Sequence, residues 1–276
     1  MSTAAILLPP QEPLAICWHQ GVALLQPPSW ADDGVLAAFS TRLGGVSEGA
    51  YQSMNPSLSS GDDPAKVAEN RRRLLSAVGA PAWPVAAIHQ VHGADVAVVS
   101  QAPAAGWPMN ALVQADAQVT RLTGVVLSVV VADCVPVLLR AKKGQGIGVV
   151  HAGWRGTAAG VTEAAVEELC RLCACGPDEL EAAIGPAIGP ECYPVGPEVG
   201  REILKNHAWA LAETADGRVD LVSLQAEILR RHGLKPASIL ASRLCTRCAE
   251  QLLFSYRRDG QASGRIAALI GLQKQE

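Results

Sequence analysis

Gly124-Val125-Val126-Leu127-Ser128-Val129-Val130-Val131 leads through Ala132-Asp133 into Cys134-Val135-Pro136-Val137-Leu138-Leu139-Arg140, and Gly146-Ile147-Gly148-Val149-Val150-His151 follows after a polar break. The β-branched residues, the shortness of each run and the Gly, Asp and Pro punctuation indicate successive β-strands, because a helix needs a longer periodic pattern. Upstream, Val35 to Ser40, Val85 to His89 and Ala94 to Val99 carry the same signature. Downstream, Glu181 to Ile184 and the neighbourhood of Ile239 and Leu240 add two more.

Helical signals lie between these runs. Asp63-Pro64 opens a helix from Ala65 to Val78 that Gly79 stops. Thr157 to Cys173 is apolar at helical spacing, Gly196-Pro197 starts another helix through Lys205, and Leu221 to His232 follows Asp220. Strands in hairpin-length succession together with strands separated by helices predict an α+β fold with mixed sheets flanked by helices. No repeat or long linker divides the chain, and Gln101 to Pro108 reads as a surface loop. We expect residues 1–30 to form a loosely structured tail and a first strand, and residues 31–276 a single catalytic domain.

An apolar share of 49% against 18% charged residues supports a large core. The net charge of −3 and the lack of a basic stripe argue against nucleic acid. The densest basic run, Arg71-Arg72-Arg73, reads as a solvated helix face beside Glu69. No segment reaches the roughly 18 uncharged apolar residues that span a bilayer. Met1 to Pro13 lacks a basic n-region. With eight cysteines read as reduced thiols, the expectation is a cytoplasmic protein without a disulfide framework.

His92 follows a strand in Gln90-Val91-His92-Gly93, Cys134 follows another, and His151 ends a third before Ala152-Gly153-Trp154-Arg155-Gly156. Three borderline-to-soft donors at strand ends suit a catalytic zinc ion with one open position, although nothing local brings them together and each has a plain reading as a core or surface residue. Cys170-x-x-Cys173 with Cys245-x-x-Cys248 offers a second, weaker pattern, a four-thiolate zinc site. Arg42, in the glycine-rich turn Thr41 to Ser47, and Arg155 could each present a planar fork to an anion. Phe254 to Asp259 reads as a hairpin turn in which Arg257 and Arg258 pin loops.

Several blocks occur in order: Phe39 to Ser47, Gly61-Asp62-Asp63-Pro64, Glu69-Asn70-Arg71, Gln90 to Gly93, Ala115-Asp116-Ala117, Ala132 to Leu138, His151 to Gly156, Ile184 to Pro190, Phe254 to Asp259 and Gly264-Arg265. Together they resemble the YfiH-type laccase-domain family, long labelled multicopper polyphenol oxidases and regarded as broad purine nucleoside phosphorylases. The resemblance covers the chain from Phe39 to the C-terminus. It implies a single cytosolic domain of mixed sheets and helices, with His92, Cys134 and His151 as metal ligands and catalytic residues. It also implies phosphorolysis of adenosine, inosine, guanosine and methylthioadenosine, with deamination of adenosine.

On this reading Arg42, Asn55 and Arg155 contact substrate or phosphate, Asp133 orients a ligand from behind or caps a turn, and zinc is favoured over copper. The partners are then a small nucleoside and phosphate, with no membrane, nucleic acid or protein partner. One departure is Ser59, in Asn55-Pro56-Ser57-Leu58-Ser59-Ser60-Gly61-Asp62, where relatives often carry His; a hydroxyl cannot act as an imidazole base. Three rival readings are a phenol-oxidising copper enzyme, a Cys-His hydrolase built on Cys134 and His151, and a pocket that binds a cell-wall precursor or partner, as described for peptidoglycan-editing relatives. Six histidines without a His-x-His pair are few for several coppers.

Overall fold

The valine-rich run is apolar on both faces because it lies inside a sandwich with helices outside it. In the computed structural model, which describes residues 8–9, 11–111, 113–142, 145–211 and 214–274, the chain opens with β1 (Ala15–His19), β2 (Val22–Gln26), β3 (Val35–Ser40), α1 (Pro64–Ala77), β4 (Val85–Ala87) and β5 (Val96–Val98). It continues through β6 (Ala117–Thr120), β7 (Val126–Val131), β8 (Val135–Ala141), β9 (Ile147–Ala152), α2 (Trp154–Ala159), α3 (Val161–Cys173) and β10 (Leu180–Ile184). The last elements are α4 (Pro197–Asn206), α5 (Leu221–Arg231), β11 (Ile239–Ala241), α6 (Tyr256–Asp259) and β12 (Ile266–Leu272).

Two six-stranded sheets result, ordered β1-β2-β3-β12-β7-β4 and β11-β10-β8-β9-β6-β5. The pairs β4–β7, β5–β6 and β10–β11 are parallel and the remaining pairs antiparallel. Between the sheets, Phe39, Leu127, Val129 and Ile270 pack with Leu138, Ile147 and Val149. Side chains alternate along a strand, so Val135, Val137 and Val150 point the other way, into a layer with Val166 and Leu169 of α3 and Ile228 of α5. Leu74 and Leu75 of α1 cover the outer face of the first sheet against Val126 and Leu269. The result is the expected α+β architecture, with helices on both outer faces.

Several local expectations change. The segment before residue 31 contributes two strands, and the buried Val22, Leu24 and Leu25 tie them into the first sheet. Asp63 caps α1 as expected, accepting from Ala65 N at 2.8 Å. The helix read from Thr157 to Cys173 is two helices, divided at Gly160 with φ +86°, and the first begins at Trp154. Residues 256–259 form a short helix in place of a hairpin turn. Its Arg258 does pin loops, donating to the carbonyls of Thr246, Arg247 and Leu253.

Candidate metal centre and cleft

His92, Cys134 and His151 meet where β9 and the β7–β8 turn approach the loop before β5. One donor atom from each lies within 4.8 Å of the others, and the two imidazole centroids are 4.8 Å apart. His151 is on β9, on the inter-sheet face shared with Ile147 and Val149, and is buried. Cys134 is half-buried and His92 exposed.

The loop that carries His92 is fixed by hydrogen bonds to distant parts of the chain. The Gln90 amide donates to Val130 O and accepts from Val130 N, each at 2.9 Å, so it pairs with β7 as a strand residue would. The backbone N–H groups of Val91, His92 and Gly93 all donate to the Asp116 carboxylate, at 3.1, 3.0 and 2.7 Å. This convergence holds His92 at φ +60°, a left-handed conformation that non-glycine residues adopt at a cost. The same buried carboxylate lies 2.7 Å from His151 Nδ1. That contact directs Nε2 towards Cys134 and His92, the support that metal-binding imidazoles generally have. Burial opposes the charge on Asp116, but the hydrogen bonds from His151, Gly93 and Val91 outweigh it and hold its pKa below the ordinary range.

Cys134 follows Asp133, which is itself at φ +90°. Burial would push the thiol up, yet the His151 charge and hydrogen bonds with His151 and His92 bring it down to about 6. Against the pull of burial, the Cys134 thiolate and Asp116 raise His151 to about 9. These donors form a thiolate–imidazolium pair that is ready to exchange its proton for a cation. The chain also leaves room for an ion. A Cβ on Gly153 would lie 2.8 Å from His92 Nδ1 and 3.0 Å from Cys134 Sγ. Two imidazoles and a thiolate around such a space fit a zinc ion with one open position.

The triad forms part of a cleft of about 1040 Å³. Arg71, Arg155, Arg257 and Arg265 line it with Trp107, Tyr193 and Tyr256, and His89 is its remaining imidazole. Arg155, expected in a tight turn, lies in the first turn of α2 and is exposed, stacked 4.2 Å from the Trp154 ring. Ser59 also faces the cleft and shares a 2.9 Å hydrogen bond with Ser57.

Other expected positions are corrected. Arg42 is outside the cleft lining; it donates to Gln52 O and Glu250 O and stacks on Phe254, so its fork is occupied by the chain. Asn55 is fully buried, donating to Ser57 O, Ser60 Oγ and Asp62 Oδ2 and accepting from Arg265 N. It shapes the loop and presents nothing to a ligand. Of the two roles open to Asp133, the hydrogen bonds favour the turn-holding one: it accepts from Thr246 Oγ1 at 2.6 Å and from Arg257 N, in the first turn of α6 behind its N-cap Ser255, at 2.6 Å. Asp116 holds the position behind His151, and its only sequence signal was the Ala115-Asp116-Ala117 block. Arg71 is buried under Trp107 and donates to Pro56 O and Pro108 O, unlike the solvated Arg72 and Arg73 that pair with Glu69. The four-thiolate group does not form, because Cys245 and Cys248 meet Cys192 instead of Cys170 and Cys173.

Fold and cleft together describe a two-sheet α+β protein with a His-Cys-His cluster at one end of its sheets. A family model described as multi-copper polyphenol oxidoreductase laccase matches residues 36–273. A relative from Escherichia coli called purine nucleoside phosphorylase YfiH is 38% identical over 250 residues, covering 89% of this chain and 97% of the relative. Adenosine deaminase RL5, from an unknown prokaryotic organism, is 36% identical over 238 residues, covering 83% and 90%. The crystal structure of YlmD from Geobacillus stearothermophilus superposes with a TM-score of 0.83 at 33% identity, covering 95% of this chain and all of that one. The chain belongs to the YfiH-type laccase-domain family.

Proposed function

We propose that the protein is a zinc-dependent purine nucleoside phosphorylase that cleaves adenosine, inosine, guanosine and methylthioadenosine with phosphate and also deaminates adenosine. The convergence of His92, Cys134 and His151 in an arginine-lined cleft carries this reading. The names of the two relatives, a phosphorylase and a deaminase, point to the substrate class. Zinc in that donor set supplies Lewis acidity and lowers the pKa of a water.

The chain's own groups divide the remaining work. Trp107, Tyr193 and Tyr256 offer faces on which a purine stacks. The Arg155 guanidinium, stacked on Trp154 and without a hydrogen-bond partner among the described residues, binds phosphate through paired charge-assisted hydrogen bonds. Arg71, Arg257 and Arg265 each spend N–H groups on backbone carbonyls and mainly add positive field. His89, the remaining imidazole of the cleft lining, is our candidate for giving a proton to the departing purine, a task closed to the Ser59 hydroxyl.

Product analysis on adenosine and inosine, with and without phosphate, tests the assignment. Free base and ribose 1-phosphate should form only with phosphate, and inosine should form from adenosine without it. His92→Ala should lose the zinc ion of this centre together with both products. Undiminished turnover by metal-free protein would end the proposal.

The thiolate–imidazolium pair of Cys134 and His151 supports one alternative, a Cys-His hydrolase. Activity that survives chelation, with a covalent adduct on Cys134, would select it. Phenol oxidation by several coppers has less support, since one histidine-containing cluster occurs among the described residues.

A further inference from the structure

Apart from Cys17 on β1, the cysteines outside the cleft form two groups of different character. Cys170, Cys173 and Cys175 gather at the end of α3, where burial and mutual repulsion push Cys170 up to about 12 and Cys173 up to about 11. They sit as small apolar side chains beside the core of α3. Cys192, Cys245 and Cys248 are arranged otherwise. Their three sulfurs lie within 4.8 Å of one another, with Cys192 Sγ and Cys248 Sγ 3.3 Å apart.

Two of these thiols come from one C-x-x-C turn, the spacing by which a turn presents two sulfurs to one ion. The third comes from the Pro190–Cys192 turn on the adjoining loop. The two loops are held in register by the Ala187–Cys245 bridge and the Thr246 N–H bond to Ala187 O at 2.9 Å. Gly189 N–H donates to Cys245 Sγ at 3.2 Å. A backbone N–H aimed at sulfur is a support that a thiolate gains more from than a neutral thiol does.

We propose that Cys192, Cys245 and Cys248 hold a second metal ion, zinc, separate from the His92 centre. Three thiolates select a soft or borderline ion over magnesium or calcium, and the exposed Cys248 side leaves a water as fourth ligand. Convergence of three sulfurs, where a disulfide uses two, favours the ion over an oxidised pair.

The ion also supports the cleft. Tyr193, next to Cys192, lines the cleft, and Thr246, next to Cys245, donates to Asp133. Clamping the two turns therefore holds one cleft wall and the strained residue before Cys134.

Elemental analysis of the full chain, purified under reducing conditions with zinc supplied, tests this. Wild type should carry two zinc ions, Cys248→Ser one, His92→Ala one and the double variant none. Cys248 is exposed, so its serine variant should fold, and a thermal melt checks that. After cobalt substitution, Cys248→Ser should lose most of the near-ultraviolet sulfur-to-metal absorption, since three thiolates belong to this site and one to the other. The loss on Cys248→Ser is scored separately from that on His92→Ala, so the two centres stand or fall independently. Unchanged zinc content in Cys248→Ser, or a Cys192–Cys248 disulfide in the zinc-supplied wild type, would overturn the proposal.

Discussion

Asp116 shows how much one side chain contributes to the candidate centre. Its carboxylate accepts from three consecutive backbone N–H groups and contacts His151 Nδ1. Asp116→Asn keeps the shape but turns an amide N–H₂ towards groups that also donate. We expect zinc affinity to fall about 10- to 100-fold, the usual effect of removing such a supporting partner. Stability should drop by about 1–3 kcal/mol from unsatisfied buried donors. Chelator competition and thermal melts measure the two effects separately. The Cys134 pKa allows a second test. In metal-free protein, alkylation of Cys134 should rise through about pH 6, well below an ordinary thiol. Removing the imidazolium with His151→Ala takes away a positive charge that favours thiolate, so the midpoint should move up. A pH profile by peptide mass spectrometry that matches in both proteins would count against the pair.

At the scale of elements, the short helix α2 and its glycines set the space around the triad. Gly153, its N-cap, has an ordinary φ of −76°, so the demand there is for room alone. Gly153→Ala should leave the fold in place and sharply reduce bound zinc, which elemental analysis reads directly. Gly160 presents the opposite case. A Cβ there would meet nothing closer than 3.9 Å, but φ is +86°. Gly160→Ala should therefore cost about 1–2 kcal/mol from the left-handed conformation with little change in metal content. Denaturant unfolding measures that cost. The break at Gly160 also explains why the apolar spacing from Thr157 read as one helix: both halves bury the same side, as Ala158, Val161, Ala165 and Leu169 share one core layer.

Across the whole molecule, the cleft takes residues from parts of the chain that only the fold unites. Arg71 comes from α1 and Trp107 from the loop after β5. Tyr193 precedes α4, and Tyr256 and Arg257 belong to α6. Trp107→Ala should raise KM for nucleoside about tenfold or more, the loss of roughly 1–3 kcal/mol of base stacking. Zinc content should stay unchanged, because Trp107 touches no triad residue in the contacts that hold the centre. Steady-state kinetics paired with metal analysis would separate binding from metal loss.

Legibility followed locality. The strands β7, β8 and β9 were readable because their apolar runs are continuous, and α1 because Asp63-Pro64 and Gly79 mark its ends. Strand β12 lies between β3 and β7 yet carries no comparable apolar β-branched run. Ala267, Ala268 and Gly271 dilute its β signal, and Gly271 is needed because a Cβ would come 3.1 Å from the Trp83 ring. Arg42 and Asn55 had suitable chemistry for an anion, but their neighbours had already taken their hydrogen bonds.

From the sequence alone came the mixed α+β class, the family and the three donors His92, Cys134 and His151, since these rest on residue type and short-range order. The tertiary structure decided that Asp116 stands behind His151, that Arg155 keeps its guanidinium available while Arg42 does not, and that Cys192 joins Cys245 and Cys248. Hydrogen bonding, burial and close approach depend on distance through space, and strand pairing brings together residues that the chain order keeps apart.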